Sequence, residues 1–431
     1  MPISGVGVPH NAVAGPQRDH VYRVLLLAFP FADTYRTNGR LLTHVLFLLD
    51  NRNQKQYKHI CIVCQSEIWG EKMRAMIAMS GGVDSSVAAL LMQEAGFDCT
   101  GVTMRLYREN GFRTGCVKSC CSDEDEETAA LVCWQLGIEH EALCFSRDFE
   151  QAVIRRFIQE YEAGRTPNPC IDCNRFLKFN ALLERAGRDG FDVLATGHYA
   201  RIEYSETLQR WQLFKALDEK KDQSYVLYML TQEQLPYLRF PLGDLCKADA
   251  RRLAETHGLV NAEKRDSQDI CFIPDGDYAG FIRRWTGKAY AAGDILDQSG
   301  SIVGRHQGLF HYTIGQRRGL GVAAGEPVYV IGKDCESNTL MIGPDSALYH
   351  REFLACDFNW LSIQEPSEPF RAAVRTRYHQ QEADGMVYPL SDGQVRIVFD
   401  KAQRAITPGQ AAVLYQGELV LGGGTICTVS D

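Results

Sequence analysis

Between Ala78 and Phe97 the chain reads AMSGGVDSSVAALLMQEAGF, with two adjacent glycines and three serines set between a short apolar run and an apolar helical pattern. A strand that enters Ser80-Gly81-Gly82-Val83-Asp84-Ser85-Ser86 and leaves as a helix turns backbone N–H groups towards one point at a positive helix end. That arrangement is an anion site, and phosphate is its usual occupant. Gly81 and Gly82 let the backbone come close, while Ser80, Ser85 and Ser86 can donate to phosphate oxygens. The Gly-Lys-Ser/Thr of a P-loop is missing, and so are the spaced glycines of a dinucleotide fingerprint. Taken alone, the stretch also fits a tight strand-to-helix turn with a serine cap.

A strand, loop and helix in that order require a partner strand, and the chain supplies several. MIAM, CTGVTMRLY, HEALCF and DVLATGHYA read as strands, with helices reaching Ala95 and starting near Asp123 and Asp148. This rhythm predicts an α/β fold with a doubly wound parallel sheet, whose ligands bind at the carboxyl ends of the strands. AMSGGVDSS and LATGHYA both fall there. From Thr231 the pattern becomes helical and partly basic. Past Gly287 short strands and glycine turns predict a small β-barrel or sandwich at the C-terminus.

At 431 residues the chain has room for two or three domains. Its 45% apolar and 23% charged residues exclude a disordered or fibrous class. A net charge of −8 argues against a uniformly basic nucleic-acid coat, although a local basic groove stays compatible with it. Fifteen unevenly spaced cysteines in so large a chain point to a reducing compartment with some thiols reactive or metal-bound. No run reaches the roughly 18 apolar residues of a membrane span. The expected location is therefore cytoplasmic, or organellar if residues 1–72 are a targeting segment. Those residues show no sustained periodicity, and we expect a working start at Met73 or Met76 with the extension outside the fold. Cys61 and Cys64 lie in that segment.

AGRTPNPCIDCNRFLKFNALL places Cys170 and Cys173 in a C-x-x-C pair, in a loop after two prolines and ahead of a helix. Near Arg175 and Lys178 such a thiol is expected to gain thiolate character. A zinc or iron–sulfur ligand pair and inert buried thiols are the other readings. KRDSQDICFIPDGDYAGFI carries Cys271, and ALDEKKDQSYVLYML carries Lys221-Asp222-Gln223 ahead of an apolar strand or helix. In GCVKSCCSDEDEE, Ser122 is expected to cap a helix whose acidic start suits the helix dipole, with Cys116, Cys120 and Cys121 before it.

SGGVDSS resembles the phosphate-gripping loop of the ATP pyrophosphatases. Together with TPNPC, CNR, ATGHYAR, KDQSYVL, DSQDICFI, HYTIGQRRGLG and PGQAAVLY, in that order, it makes the chain from about Met73 onwards similar to the tRNA-specific 2-thiouridylase (MnmA/TrmU) family. The resemblance implies a PP-loop catalytic domain over 73–230, a central tRNA-binding domain over 231–350 and a C-terminal β-barrel over 351–431. It implies ATP with Mg2+, tRNA as partner, and a sulfur donor that is either a persulfide carrier protein or sulfide. A wobble uridine is then adenylated on its C2 oxygen, and sulfur displaces AMP.

Carried over by the motifs, Cys173 is the nucleophilic cysteine and Cys271 bears the persulfide. Ala78, Met79, Ser80, Gly81, Gly82, Val83, Asp84, Ser85, Met104 and Gly197 would hold ATP. Asn168, Pro169 and Cys170 would meet the target base, while His198, Lys221, Asp222, Gln223, Arg377, Tyr378 and Gln410 would contact tRNA. Arg317 and Arg318 suit a turn that tracks an RNA backbone. Many members have aspartate where this chain has Cys170. The set Cys170, Cys173 and Cys271 therefore also allows a four-iron cluster with one open iron in place of the persulfide relay. A lysidine synthetase, which needs no thiols, and a non-catalytic iron–sulfur or RNA-binding relative are the rival readings.

Overall fold

The structure is a computed structural model that describes residues 34–37, 40–47, 60–64, 72–106, 123–265, 270–323 and 325–430. The chain divides into two compact units, Met1–Ser66 and Glu67–Asp431. In the first, β1 (Thr34–Thr37), β2 (Arg40–Phe47) and β3 (Ile60–Cys64) form an antiparallel sheet, and Cys61 and Cys64 fall on β3.

The second unit starts with β4 (Arg74–Ala78), α1 (Val83–Glu94), β5 (Asp98–Arg105), α2 (Asp123–Leu136) and β6 (Glu139–Cys144). A long helical passage follows: α3 (Ser146–Phe149), α4 (Arg155–Glu162), α5 (Pro169–Asp172) and α6 (Leu183–Arg188), with wider π-type turns over Glu150–Ile154 and Cys173–Leu182. It returns to β7 (Val193–Ala195). A hairpin of β8 (Arg201–Ser205) and β9 (Arg210–Phe214) then leaves the sheet, and β10 (Leu238–Arg239) rejoins it. The order is β10-β7-β4-β5-β6, parallel throughout.

β4 shows why the sheet is central. Ala75, Met76 and Ile77 are all fully buried. Met76 packs into one apolar cluster and its neighbours Ala75 and Ile77 into another, as alternating side chains on a strand covered on both faces must. From β4 the chain winds towards β6 on one side and later towards β10 on the other. The crevice of this doubly wound sheet therefore opens between the carboxyl ends of β4 and β7.

Beyond the sheet come α7 (Lys247–Thr256) and α8 (Tyr278–Thr286). A small sheet follows, ordered β12-β11-β14-β13, from β11 (Gly293–Leu296), β12 (Ile302–His306), β13 (Tyr329–Asp334) and β14 (Thr339–Gly343). The last six strands are β15 (Tyr349–Trp360), β16 (Phe370–Arg375), β17 (Ala383–Pro389), β18 (Val395–Arg404), β19 (Ala411–Gln416) and β20 (Leu419–Ser430). They close into a barrel because β15 pairs with both β18 and β20. A Cys356–Cys427 disulfide joins β15 to β20. Its interior is built from Phe353, Val374, Val387, Ile397, Phe399 and Leu414 among others. β20 also pairs with β9, so the hairpin from the catalytic region extends the barrel sheet.

Two local features are shorter than the sequence pattern suggests. The apolar run after Gln223 forms one short 3-10 helix over Ser224–Val226 and then turns, with Tyr225, Leu227, Tyr228 and Leu230 packed into the core. β10, only two residues long, lies inside the segment read as helical. No described helix is long and apolar enough to cross a membrane.

Candidate active site

The loop after β4 is held by its own side chains. Ser85 Oγ and Ser86 Oγ both donate to the Gly82 carbonyl, at 3.0 and 3.1 Å. Ser80 N–H donates to Ser85 Oγ at 3.2 Å. Gly82 is the N-cap of α1 without a side-chain cap bond, which leaves the helix end to the loop itself. Gly81 has φ +70, and a Cβ there would stand 2.3 Å from the Asp125 carbonyl oxygen, so only glycine fits. Gly197, just after β7, abuts the loop from the other side: its Cβ would stand 2.7 Å from the Asp84 carbonyl carbon. Met79, Val83 and Met104 are core residues, Met79 and Met104 at 3% and 8% exposure, and Ala78 is half-buried.

Four residues at this loop escaped the sequence reading. Lys247 Nζ reaches both carboxylate oxygens of Asp84 at 2.8 Å, and Tyr199 Oη donates to the same carboxylate at 2.7 Å. Asn261 donates to the Gly81 carbonyl at 3.0 Å and to Ser86 Oγ at 2.9 Å. Lys264 donates to the Gly81 carbonyl at 3.1 Å and pairs with Asp125 at 2.5 Å. Lys247 lies in a stretch whose sequence signal was only a basic helix, Lys264 opens the stretch that carries Cys271, and Asn261 falls between them, so nothing local pointed to the loop. The acids of α2 do sit in its first turn, with Glu126 paired to Arg105 and held below the usual carboxylate range by that guanidinium. Ser122, Cys116, Cys120 and Cys121 lie outside the described residues.

The C-x-x-C segment is a helix start rather than a loop. Pro169 takes the first helical position, where its missing N–H costs nothing, and Asn168 caps the turn by accepting from Cys170 N–H at 3.1 Å. Cys170 is exposed and Cys173 buried. Cys173 opens the π-type stretch, a geometry that recurs at functional sites. Asp172 between them is paired with Arg156 at 3.5 Å; burial holds its carboxyl above the ordinary range against the pull of Arg156 and Arg175. Cys271 is half-buried and packs against the apolar cluster that contains Cys173. Its neighbour Phe272 is wedged edge-on among Phe149 and Phe157, both at 5.5 Å between centroids. Among the described residues no three Cys, His, Asp or Glu side chains are grouped to hold a metal ion.

The residues assigned to tRNA are mostly engaged within the protein. Asp222 is buried and accepts from Ala216 and Ser224 N–H, both at 3.1 Å, and from Arg375 at 3.3 Å. Gln223 clasps the Tyr199 backbone, accepting at 3.0 Å and donating at 2.9 Å. Arg377 donates to the Ile314 and Ala405 carbonyls and to Thr407 Oγ1. Gln410 donates to the Thr166 carbonyl at 2.8 Å and to that of Pro167 at 3.4 Å, and Thr166 N–H donates to the Pro408 carbonyl at 2.9 Å. The barrel thus grips the chain immediately before Asn168-Pro169-Cys170. Tyr378 faces the same place; its hydroxyl is pushed up to about 12 by burial, with Asp222 and Cys170 adding. Lys221 is half-buried, and Arg317 and Arg318 are exposed. His198 is a core residue, bonded to Thr196 Oγ1 at 2.7 Å between the rings of Phe179 and Phe240, and burial pushes its imidazole well below the usual range.

Residues 73–275 match the family described as tRNA methyl transferase HUP domain, 279–344 its PRC-barrel domain, and 350–426 an aminomethyltransferase beta-barrel domain. The chain is 46% identical over 356 residues to the tRNA-specific 2-thiouridylase MnmA of Acetivibrio thermocellus, covering 82% of this chain and 99% of that one. It is 48% identical over 367 residues to the protein of the same name from Roseiflexus castenholzii, with the same two coverages. With a glycine–serine loop at the switch point of a parallel sheet and full-length relatives at this level of identity, the chain belongs to the tRNA-specific 2-thiouridylase family of PP-loop ATP pyrophosphatases.

Proposed function

We infer that the protein is a tRNA 2-thiouridylase, an ATP-dependent sulfurtransferase that makes 2-thiouridine at the wobble position and releases AMP and diphosphate. The observation that carries this is a glycine–serine loop at the switch point of a parallel sheet, with a C-x-x-C helix start inserted between two of its strands, in a chain nearly half identical to proteins of that name. ATP lies with its phosphates on Ser80–Ser86, where N–H groups and a helix end stabilise the charge. The C2 oxygen of the uridine attacks the α-phosphorus, and diphosphate leaves. AMP then leaves far more readily than oxide.

For the sulfur step we propose a relay. The outer sulfur of a Cys271 persulfide attacks C2 and AMP departs, leaving a C2–S–S–Cys271 bond. The Cys173 thiolate attacks the Cys271 sulfur, forming a Cys173–Cys271 disulfide and releasing the thiocarbonyl; a thiol reductant restores both cysteines. A persulfide carrier protein hands its outer sulfur to the Cys271 thiol and leaves as a thiol, or sulfide opens the Cys173–Cys271 disulfide to give the Cys271 persulfide and the Cys173 thiol. Asn168, Pro169 and Cys170 meet the base at the helix start, where Cys170 is exposed and Pro169 buried, with Tyr378 beside it. Lys221, Arg317 and Arg318 face the tRNA, while Asp222, Gln223, Arg377 and Gln410 act by holding the loops that do.

Mg2+ accompanies the ATP phosphates, which together with water supply most of its oxygens in sites of this kind. The four-iron reading needs Cys170, Cys173 and Cys271 as one ligand group. The described side chains are not so arranged, and no step is derived through a cluster.

The deciding experiment uses Cys271→Ser and Cys170→Asp with anaerobically purified protein and tRNA. Cys271→Ser should release diphosphate but make no 2-thiouridine. Cys170→Asp should keep some thiolation under the relay; loss of both activity and bound iron and sulfide would favour the cluster instead.

A further inference from the structure

Asp84 sets an electrostatic problem. It is the second residue of α1, at the helix end where the loop N–H groups converge, and ATP brings several negative charges to that place. A carboxylate there repels the phosphates strongly in a part-buried site. Two side chains answer it. Lys247 Nζ bridges both carboxylate oxygens at 2.8 Å, and Tyr199 Oη holds one of them at 2.7 Å. The Lys247 side chain is only 11% exposed, so the pair is weakly screened by solvent.

Each arm is itself anchored. Lys247 N–H donates to Asp218 Oδ2 at 2.9 Å, which fixes the first turn of α7. Tyr199 is clasped through its backbone by Gln223. Both anchors belong to the 218–223 turn, whose Lys221 N–H also donates to the Asp218 carbonyl at 3.0 Å. One turn therefore sets both partners of Asp84.

We propose that Lys247 and Tyr199 are positioning residues of the ATP site, neutralising Asp84 and fixing its carboxylate so that the loop meets the triphosphate without an uncompensated anion. This rests on the reading of Ser80–Ser86 as the ATP site. The test uses the full chain and four variants: Lys247→Met, Lys247→Arg, Tyr199→Phe, and Lys247→Met combined with Asp84→Asn. Binding of a non-hydrolysable ATP analogue with Mg2+ is measured by calorimetry, and KM for ATP and kcat are measured from tRNA-dependent diphosphate release.

Lys247→Met should weaken analogue binding and raise KM by about tenfold or more, with kcat at saturating ATP changed less than about threefold, the split expected when ground-state binding is lost. Lys247→Arg should retain most of the affinity. Tyr199→Phe should raise KM in the same direction by less. Adding Asp84→Asn to Lys247→Met should recover analogue affinity relative to Lys247→Met alone, because the charge that needed a partner is gone. Wild-type affinity in Lys247→Met, or no recovery in the double variant, overturns the proposal. Should Lys247→Met fail to fold, an unchanged KM in both Lys247→Arg and Tyr199→Phe overturns it, and a raised KM in Tyr199→Phe with near-normal Lys247→Arg sustains it. A wild type that binds the analogue yet releases no diphosphate with tRNA defeats the functional reading alone, since analogue binding still decides the role of Lys247.

Discussion

The glycine–serine loop and the cysteine helix are held from near and far in different proportions. Ser80–Ser86 is bonded through its own serines to a carbonyl three or four residues away, and is then tied by Tyr199, Lys247, Asn261 and Lys264 from later in the chain. Thr166–Cys173 has one cap of its own, Asn168, and is gripped by Pro408 and Gln410, some 240 positions later in the chain. The serine bonds of the first can form as soon as its strand and helix do. A site held by a distant domain depends on that domain being folded and docked, so its geometry is open to change from far away.

The largest expected effect falls on the sulfur step, in which Cys271 serves together with Cys173 of the second region. Cys271→Ser should lower 2-thiouridine formation by at least about a thousandfold, the scale of removing a nucleophile, while tRNA-dependent diphosphate release persists; mass analysis of digested tRNA checks the first and a phosphate assay the second. Next, Gly81→Val strikes the loop where a side chain would collide with the Asp125 carbonyl of α2. Analogue binding should vanish by calorimetry with tRNA binding retained; a variant that still binds ATP would show that this close approach is not needed for the site.

Smaller effects test the grip. Gln410→Ala strips two bonds from Thr166 and Pro167, a loss of about 1–2 kcal/mol. It should slow thiolation while leaving analogue affinity unchanged, and equal loss in both assays would erase the contrast between the regions. His198 lies between them, packed on Phe179 of the cysteine helix. Its folded-state pKa is depressed below the unfolded value of about 6.5, so the unfolded chain takes up the proton first. Stability is then full above about pH 6.5 and falls as pH drops below it, by up to about 1.4 kcal/mol per pH unit; urea titrations from pH 7 to 5 should show that slope, and His198→Gln should flatten it. Least of all, removing residues 1–72 should leave thiolation unchanged, since β4 begins at Arg74 and Glu67–Asp431 is compact by itself.

The same contrast explains what could be read from the sequence. The parallel sheet, the barrel and the phosphate loop were legible because each depends on neighbours in the chain: alternating strands and helices, glycine turns, serines beside glycines. Lys247, Asn261 and Lys264 were not, since Lys247 sits in an ordinary basic helix, Asn261 and Lys264 in the connection after it, and their partners lie some 140 to 180 residues away. The prolines before Cys170 were read as blocking a helix, yet Pro169 starts one, because the first turn has no use for its N–H. The two residues of β10 carry too little pattern to announce a strand, and only their pairing with β7 makes them one.

The strand pairing between β9 and β20 ties Leu213 and Phe214 to residues near the end of the chain. During synthesis, a ribosome that has finished the ATP-binding region has released a hairpin whose outer edge waits for a strand some 200 residues behind it. Until β20 emerges, that edge offers unpaired N–H and C=O groups to any other nascent chain. A chain cut short after the small central sheet would leave that edge without its partner strand, and its soluble yield against that of the full chain measures what the pairing with Leu419 and Val420 is worth.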